Sequence, residues 1–581
     1  MAANVLGIND GFSAGVTVLK DGRLTAQVNE ERFCRKKNYG GFPALCLDWL
    51  LSSGTRPDDL QAVGLAWRSE PFRDISERDG GKHRVFSSLA RWLPAAASSD
   101  ALISRVVERS ARRRRRLTAV RRALAAAAPP LSRLPIRIYA HHHCHAASSY
   151  FASGLARRDC RDALVITMDG SGDGECFTVW RARGSRLEKL AAQNSYHSLA
   201  ILLEAVTSHM GMKPLEHEYK IMGMAPYGGG FQAEAAAGQF RRYFSLDRKG
   251  LLPVNRMAAW GDSMEKRLAR DFRRIRFDAI AYGIQQVFSE LVLGLVRSWV
   301  RETGIRDVCV GGGSFMNVKL NMTLAQDDGI GEFFALPSCG DESLSLGAAY
   351  LAHEELAPGS SPALGPLYLG PANSEAEVLA ALEAARDHAA WERKPDIERT
   401  TAELLRDGRI VARVRGPMEW GARALGNRSI LCNPTKMQMI HRINKAIKMR
   451  DFWMPFCPSI LPADADRYLV NPRGRSAPYM ILAFESRRAA QEELPACLHP
   501  FDLTCRPQIV DPEHNPRYHY LLEQFKLMTG IGGVLNTSFN LHGEPIVCTA
   551  ADAIRVLRKS GLDFLALEDY LVWRKDAPSG L

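Results

Sequence analysis

Twelve cysteines are spread through the 581 residues without one Cys-x-x-Cys pair. That absence argues against both a structural zinc site and a secreted disulfide framework, and leaves most of the thiols as small buried hydrophobes. No apolar run approaches the ~20 residues needed to span a bilayer. The start, Met1-Ala2-Ala3-Asn4-Val5-Leu6-Gly7, lacks the basic head and long apolar core of a signal peptide and reads as an immediate buried strand. A cytoplasmic protein with no membrane partner is expected. Aromatic residues, 8% of the chain, do not alternate with the arginines of the basic block Arg112 to Arg116, Arg121 and Arg122. Without rings to stack on bases, and with Ala and Leu interleaved from Val106 to Ala128, the block reads as the solvated face of a surface helix, not as a nucleic-acid site. The net charge of +12 does not change that reading.

Composition is otherwise ordinary for a globular chain, with 46% hydrophobic and 24% charged residues. The length implies roughly three or four domains. The densest chemistry lies at Ala140-His141-His142-His143-Cys144-His145-Ala146, where four of the 15 histidines fall within five residues. A strand-like run, Ile136 to Tyr139, precedes them, and Ala146 to Ala152 reads as a helix. On a helix, His141 and His145 share one face and offer two imidazoles to one divalent ion. The bland alternative is a polar turn.

Residues 4 to 28 read as strand, turn and strand, with Asn9-Asp10-Gly11 at the first turn and Asp21-Gly22 at the second. Glu30-Glu31-Arg32-Phe33 leads into a basic loop, Arg35-Lys36-Lys37, and Phe42-Pro43 opens a helix running to about Ser52. The strand–turn–strand device recurs at Ala163 to Met168, Asp169-Gly170-Ser171-Gly172-Asp173-Gly174, and Cys176 to Trp180. Two such hairpins suggest one half-domain used twice, and their acidic tips suit a metal or a phosphate. Asp307 to Val310 is a buried-type strand running into Gly311-Gly312-Gly313-Ser314, then a helix from about Phe315 to Leu324. Strand, glycine loop and helix let a nucleotide lie against bare backbone. Alone this loop is weak evidence; with the two hairpins it matches an actin/hexokinase-like fold. Asp341 stands at a helix start, where it caps the helix or ligates a metal. Lys220, in a helix ending at Pro226, is a nucleotide contact or a surface lysine.

Residues 357 to 371 hold four prolines and three glycines and read as a linker between domains 1–356 and 372–581. From Arg409 to Arg450 there are ten Lys or Arg and one acidic residue, Glu419. The order is strand (Ile410 to Val414), turn (Gly416-Pro417), loop (Gly421 to Ser429) and a helix ending near Lys448. Ile430, Leu431, Phe452 and Phe456 flank the charges, which favours a partly buried pocket for phosphate or carboxylate over a generic basic surface. Arg506, in Thr504 to Val510, and the polar turn Asn536-Thr537-Ser538-Phe539-Asn540 add donors.

In this order the blocks Val5 to Gly22, Glu30 to Pro43, His141 to Tyr150, Glu218 to Gly228, Gly311 to Asn321, Gly340 to Ala349, Glu419 to Leu431, Arg506 to Val510 and Asn536 to Asn540 span nearly the whole chain. The chain thereby resembles the NodU/CmcH-type O-carbamoyltransferases, which modify nodulation factors and antibiotics, tobramycin among them. The resemblance implies an α/β protein: a duplicated actin/hexokinase-like (TsaD-like) N-terminal domain fused to a YrdC-like C-terminal domain. It implies a metal, usually iron, on His141, His145, Asp169 and Asp341. ATP or its adenylate would lie on Lys220 and Gly311-Gly312-Gly313, with Asn317 nearby. Arg423, Lys448, Arg506 and Ser538 would contact carbamoyl phosphate, with Arg428 close by. The implied reaction carries a carbamoyl group through carbamoyl-adenylate to a hydroxyl or amine of a small specialised metabolite. The implied partners are that acceptor, and a second copy in a homodimer, with no nucleic acid.

Four positions depart from the family pattern. Its His-Asp pair after the first turn is Phe12-Ser13 here. Its Arg-Pro-Phe is Met454-Pro455-Phe456, and the His after its basic loop is Asn38. These changes motivate two further expectations: an adenylate-forming acyl or amide transferase with another donor, and a catalytically silent nucleotide-binding partner. The acceptor contacts are expected from 69 to 130 and from loops near 195 to 217.

Overall fold

The computed structural model describes residues 3–68, 110–157 and 161–575. The acceptor-contacting stretch expected from residue 69 lies outside the described residues as far as 109, as does the expected start of the basic helix at Val106. Two compact units emerge. The first runs to Glu30 and from Asn38 to Leu364; the second comprises Glu31–Lys37 and everything from Gly365 onward.

The first unit contains one arrangement twice. Strands β1 (Val5–Asn9), β2 (Gly15–Lys20) and β3 (Arg23–Asn29) form an antiparallel meander, and β4 (Ala62–Ala66) and β5 (Ile136–Tyr139) continue it in parallel, in the order β3-β2-β1-β4-β5. Strands β6 (Ala163–Gly172), β7 (Glu175–Arg183) and β8 (Arg186–Asn194) form the second meander. A short ribbon, β9 (Phe244–Leu246) and β10 (Pro253–Asn255), intervenes. Parallel β11 (Val308–Gly311) and β12 (Phe333–Ala335) then complete the order β12-β11-β6-β7-β8. This repetition is the duplicated α/β architecture. Strands β1, β4 and β11 are short apolar runs because both of their faces are buried.

Helix Leu344–Leu356 packs on β1, β4 and helix His141–Ala152 at distances that admit only glycine. A side-chain carbon at Gly7 would stand 2.0 Å from the Ser345 carbonyl oxygen, one at Gly64 2.2 Å from that of Ala348, and one at Gly347 1.9 Å from that of Cys144. Helix Phe277–Thr303 is long and apolar enough by composition to cross a membrane, unlike the expectation from linear runs, and its most apolar window is 56% buried in this unit. The glycine loop also differs from expectation: a 3₁₀ turn over Gly313–Met316 comes first, and the helix is Val318–Gln326, capped by Asn317.

The basic helix, Ser110–Ala127 where described, is not uniformly a solvated face. Arg116 is 6% exposed; it pairs with Asp10 and donates to the Ala66 carbonyl at 2.6 Å. A carboxylate at the first hairpin tip supplied the partner that the linear pattern did not reveal.

The second unit is built on a mixed eight-stranded sheet. Its strands are β13 (Ala389–Arg393), β14 (Val411–Val414), β15 (Arg428–Cys432), β16 (Cys457–Ile460), β19 (Gln508–Ile509), β20 (Gly533–Ser538), β21 (Phe564–Leu567) and β22 (Tyr570–Arg574). The ribbon β17 (Leu469–Val470) and β18 (Glu485–Ser486) stands apart. The order is β13-β22-β21-β14-β15-β20-β16-β19. Helices Ile397–Arg406 and Pro516–Thr529 cover one face through Leu405, Tyr518, Leu521 and Phe525, which pack with Val411, Leu431 and Val534. The expected linker is not loose here. Trp420 N–H donates to the Leu367 carbonyl at 2.7 Å, Met418 to Pro371 at 2.9 Å, and Gly370 to Met418 at 2.9 Å. Those bonds make the residues after Leu364 part of the second unit.

Gly347→Ala is expected to destabilise the protein by at least ~1–3 kcal/mol, because the Cys144 carbonyl cannot move without its helix. Gly229→Ala, with nothing within 4 Å of the added carbon, is the control. Thermal unfolding of both variants checks the contrast.

Candidate metal centre and anion pocket

In the first unit the histidine run forms helix His141–Ala152 from its first residue. The Asp173 carboxylate caps it, accepting the His141 backbone N–H at 2.8 Å. One turn later His145 lies over His141, with the two Nε2 atoms 3.1 Å apart. Both point at Asp169 Oδ2, at 3.3 Å from His141 and 3.1 Å from His145, and Asp341 Oδ1 lies 3.8 and 3.5 Å away. All four ligand atoms fall within 4.8 Å of one another. The other two histidines are used differently. His142 Nδ1 bonds Thr167 Oγ1 at 2.7 Å, and His143 stacks on Trp180.

These residues fit a divalent cation. Two buried imidazole nitrogens facing each other and one oxygen cannot all be satisfied by a single proton. A set of two nitrogens and two carboxylates at such spacings matches neighbouring ligands with bonds of about 2.1 Å. Electrostatics agree. Burial disfavours the charged form of His145, yet hydrogen bonds and fields from Asp169 and Asp341 raise it to about 9. Burial opposes ionisation of Asp169 too, but His141 and His145 hold it well below the usual carboxylate range. Burial raises Asp341. Burial, with His141 and His145 beside it, pushes His142 well down, and burial takes His143 to about 4, so neither favours charge.

The glycine loop lies against this cluster. Gly312 adopts φ +91°, and a side-chain carbon there would stand 2.3 Å from the Met168 carbonyl; one at Gly311 would stand 2.2 Å from Ser149 Oγ, and one at Gly313 3.2 Å from Asp169 Oδ1. Asn317 accepts the Leu320 N–H at 3.1 Å and donates to Gln285 at 2.9 Å. Lys220 is half-buried on helix Glu218–Met224, which packs against the helix that carries Gln285.

Linear reading missed Asn9 and Trp67. Trp67 Nε1 donates to Asn9 Oδ1 at 2.9 Å, Asn9 Nδ2 donates to the Asp341 carbonyl at 3.0 Å, and the Trp67 ring lies 4.3 Å from that of His141. Phe12 and Ser13 lie at this turn: Asn9 Nδ2 also donates to the Phe12 carbonyl at 2.7 Å, and Ser13 has φ +53°.

In the second unit the polar groups gather at the end of β20. Lys448 Nζ donates to Ser538 Oγ at 3.1 Å and to Asn540 Oδ1 at 2.7 Å. Arg450 reaches Thr537 Oγ1 at 3.2 Å. Arg506 donates to the Met480 carbonyl at 3.2 Å and to Sγ of Cys457, the β16 residue paired with Asn536. Arg423 is half-buried, and the carbonyl of its neighbour Ala424 accepts from Asn536 at 3.2 Å. The acidic exception, Glu419, is spent inside the loop on the Leu425 and Arg428 N–H groups, at 2.7 and 3.1 Å. Arg428 is fully buried, and every guanidinium nitrogen donates to a main-chain carbonyl, those of Cys548, Gly416 and Pro371 among them. Of the flanking hydrophobics, Ile430, Leu431 and Phe456 are buried, but Phe452 is 71% exposed. Met454 is buried at 9% exposure.

Lys448 is 3% exposed, and burial, with the charges of Arg450 and Lys37, pushes its amine well below the usual lysine value. Lys37, exposed on a segment remote in sequence that belongs to the second unit, is a source of that positive field.

The family comparison meets this geometry at both ends. The carbamoyltransferase N-terminus model matches residues 4–350, and the carbamoyltransferase C-terminus model matches 402–574. The chain belongs to the carbamoyltransferase family. An uncharacterised protein of Synechocystis sp. is 30% identical across 99% of this chain and 97% of its own length. One of Methanocaldococcus jannaschii is 30% identical across 98% and 99%. Nodulation protein NolO of Bradyrhizobium diazoefficiens is 32% identical across 75% and 79%. This carbamoyltransferase is therefore a transferase by family, with a candidate metal centre in the part matched by the N-terminal model and a candidate anion pocket in the part matched by the C-terminal one.

Two outcomes are expected from these sites. His145→Ala should lose its stoichiometric metal by elemental analysis of the purified protein, while His143→Ala keeps it. Binding of sulfate as an anion probe should take up a proton, because an arriving anion restores the Lys448 charge. The affinity should therefore rise as pH falls through the range below the ordinary lysine value. Calorimetry in buffers of different ionisation enthalpy reads that uptake, and Lys448→Met should abolish it.

Proposed function

We propose that this carbamoyltransferase moves a carbamoyl group from carbamoyl phosphate to a hydroxyl, or an amine, of a small specialised metabolite, with ATP consumed and carbamoyl-adenylate as the intermediate. The observation that carries this reading is the convergence of Lys448, Ser538, Arg450 and Arg506 at the end of β20. Such a pocket suits a phosphorylated donor and a polyphosphate leaving group.

A carbamate is a poor electrophile because its nitrogen and oxygen both donate into the carbonyl. Water first cleaves the P–O bond of carbamoyl phosphate to give carbamate and phosphate; a carbamate oxygen then attacks the α-phosphorus of ATP, pyrophosphate leaves, and the carbonyl carries AMP as a better leaving group. Arg423, Lys448 and Arg506 act by neutralising phosphoryl charge as it develops, and the Ser538 hydroxyl donates to a phosphoryl oxygen. Arg428, spent on carbonyls, acts by holding the loop. In the first unit, the Gly311-Gly312-Gly313 backbone, Lys220 and Asn317 hold the adenylate. A divalent ion on His141, His145, Asp169 and Asp341, iron in this reading, supplies Lewis-acid polarisation. The acceptor oxygen attacks the carbamoyl carbon, AMP leaves, and the acceptor proton passes to solvent or a basic side chain.

A second reading keeps ATP and changes the donor to another carboxylate. It rests on Met454, an apolar side chain buried where the family pattern has arginine.

Pyrophosphate release from ATP by purified protein, with and without carbamoyl phosphate and without acceptor, tests both. Donor-dependent release is expected, and Arg423→Ala should slow it roughly 100-fold. No release with carbamoyl phosphate, but release with another carboxylate, would replace the first reading by the second.

A further inference from the structure

Seven residues from the start of the chain are structurally part of the C-terminal unit. Glu31–Lys37 leaves β3 and joins that unit before the chain returns at Asn38. Its side chains are spent on two loops. Arg32, 6% exposed, donates to the Gly421 carbonyl at 2.7 Å. Phe33 packs on a cluster of Met418, Ala424, Ile546 and Cys548. Arg35 donates to the Pro545 and Ile546 carbonyls at 2.7 and 2.6 Å, with the Asp552 carboxylate at 3.6 Å and that of Glu544 at 3.8 Å.

Those two loops frame the anion pocket. Gly421 and Ala424 bracket Arg423. The turn ending at Ile546 begins at Asn540, whose Nδ2 donates to the Glu544 carbonyl at 2.8 Å. Asn540 Oδ1 accepts from both Lys448 Nζ and Ser538 Oγ at 2.7 Å. Arg428 donates to the Cys548 carbonyl, two residues past that turn, at 3.2 Å. A segment that served stability alone could bury apolar surface anywhere on the unit. This one places two guanidinium groups on main-chain carbonyls, the atoms that set loop position.

We propose that the Glu31–Lys37 strap is a positioning element of the donor pocket: Arg32, Phe33 and Arg35 fix the Gly421–Ala424 loop and the Asn540–Ile546 turn, and thereby the reach of Arg423, Lys448 and Ser538. The proposal rests on the donor-pocket reading above, and it makes N-terminal residues part of the C-terminal chemistry.

The test uses full-length Arg35→Ala, Arg35→Lys and Arg32→Lys, followed by hydrogen–deuterium exchange mass spectrometry and by pyrophosphate release. Faster exchange is expected in 421–426 and 540–548, with the rest of the unit unchanged. The KM for carbamoyl phosphate should rise about tenfold in Arg35→Ala while kcat holds within about twofold, and Arg35→Lys should fall between. Unchanged exchange in both segments would overturn the proposal. So would a loss of kcat at constant KM that tracks the loss of folded protein. The exchange readout needs no donor. A wild-type protein that releases no pyrophosphate would therefore sink the donor assignment and leave the strap to be decided by exchange.

Discussion

Helix Leu344–Leu356 can lie against β1, β4 and helix His141–Ala152 only because Gly7, Gly64 and Gly347 present no side chain there. The approach is main chain to main chain, closer than any Cβ permits. It carries Asp341, three residues before the helix, to the two imidazoles, while β6 brings Asp169 from the other half of the duplication. Two carboxylates and two imidazoles meet in a buried place. Burial opposes the ionisation of Asp169, yet the imidazoles hold it ionised, and burial pushes Asp341 toward the neutral form. Such a cluster is costly without a cation at its centre.

The anion pocket faces the opposite electrostatic problem. Lys448 is buried, with the charges of Arg450 and Lys37 acting on it, so its own charge is disfavoured. Asn540 keeps the amine in place by accepting a hydrogen bond from it. The surrounding arginines divide between two tasks. Arg428 and Arg413 give their hydrogen bonds to main-chain carbonyls and Asn427, while Arg450 sits at the mouth of β20. Arg413 also lies over the Tyr518 ring and near buried Glu398. Arginine suits both tasks because its fork of donors can satisfy several carbonyls or grip one oxyanion.

Much of this was legible in the linear chain. The i, i+4 spacing of His141 and His145 predicts their meeting, since a helix places them on one face whatever surrounds it. Both hairpins were readable from apolar runs bounded by Asp-Gly and Asn-Asp-Gly turns, as was the strand before the glycine loop. The stretch Arg409 to Arg450 was readable as cationic, because one acidic residue among ten cations leaves charge to be matched from elsewhere in the fold. Arg428 was harder. Nothing in Gly426-Asn427-Arg428-Ser429 distinguishes an arginine aimed at a ligand from one turned into the fold, because that depends on which carbonyls come near. Arg116 shows the same limit: a run of arginines looks solvated until Asp10, more than a hundred residues away, is placed beside one of them.

Local periodicity, turn chemistry and residue type were therefore determined by the sequence alone, because each depends on neighbours within a few positions. They settled the duplicated strand pattern, the facing histidines and the cationic character of the second pocket. Only the tertiary structure decided which charges pair, which loops a distant strap holds, and that the charge of Lys37 acts on Lys448. Those outcomes follow from contacts between residues far apart in sequence. Their energies come from desolvation and carbonyl geometry, which no local pattern records.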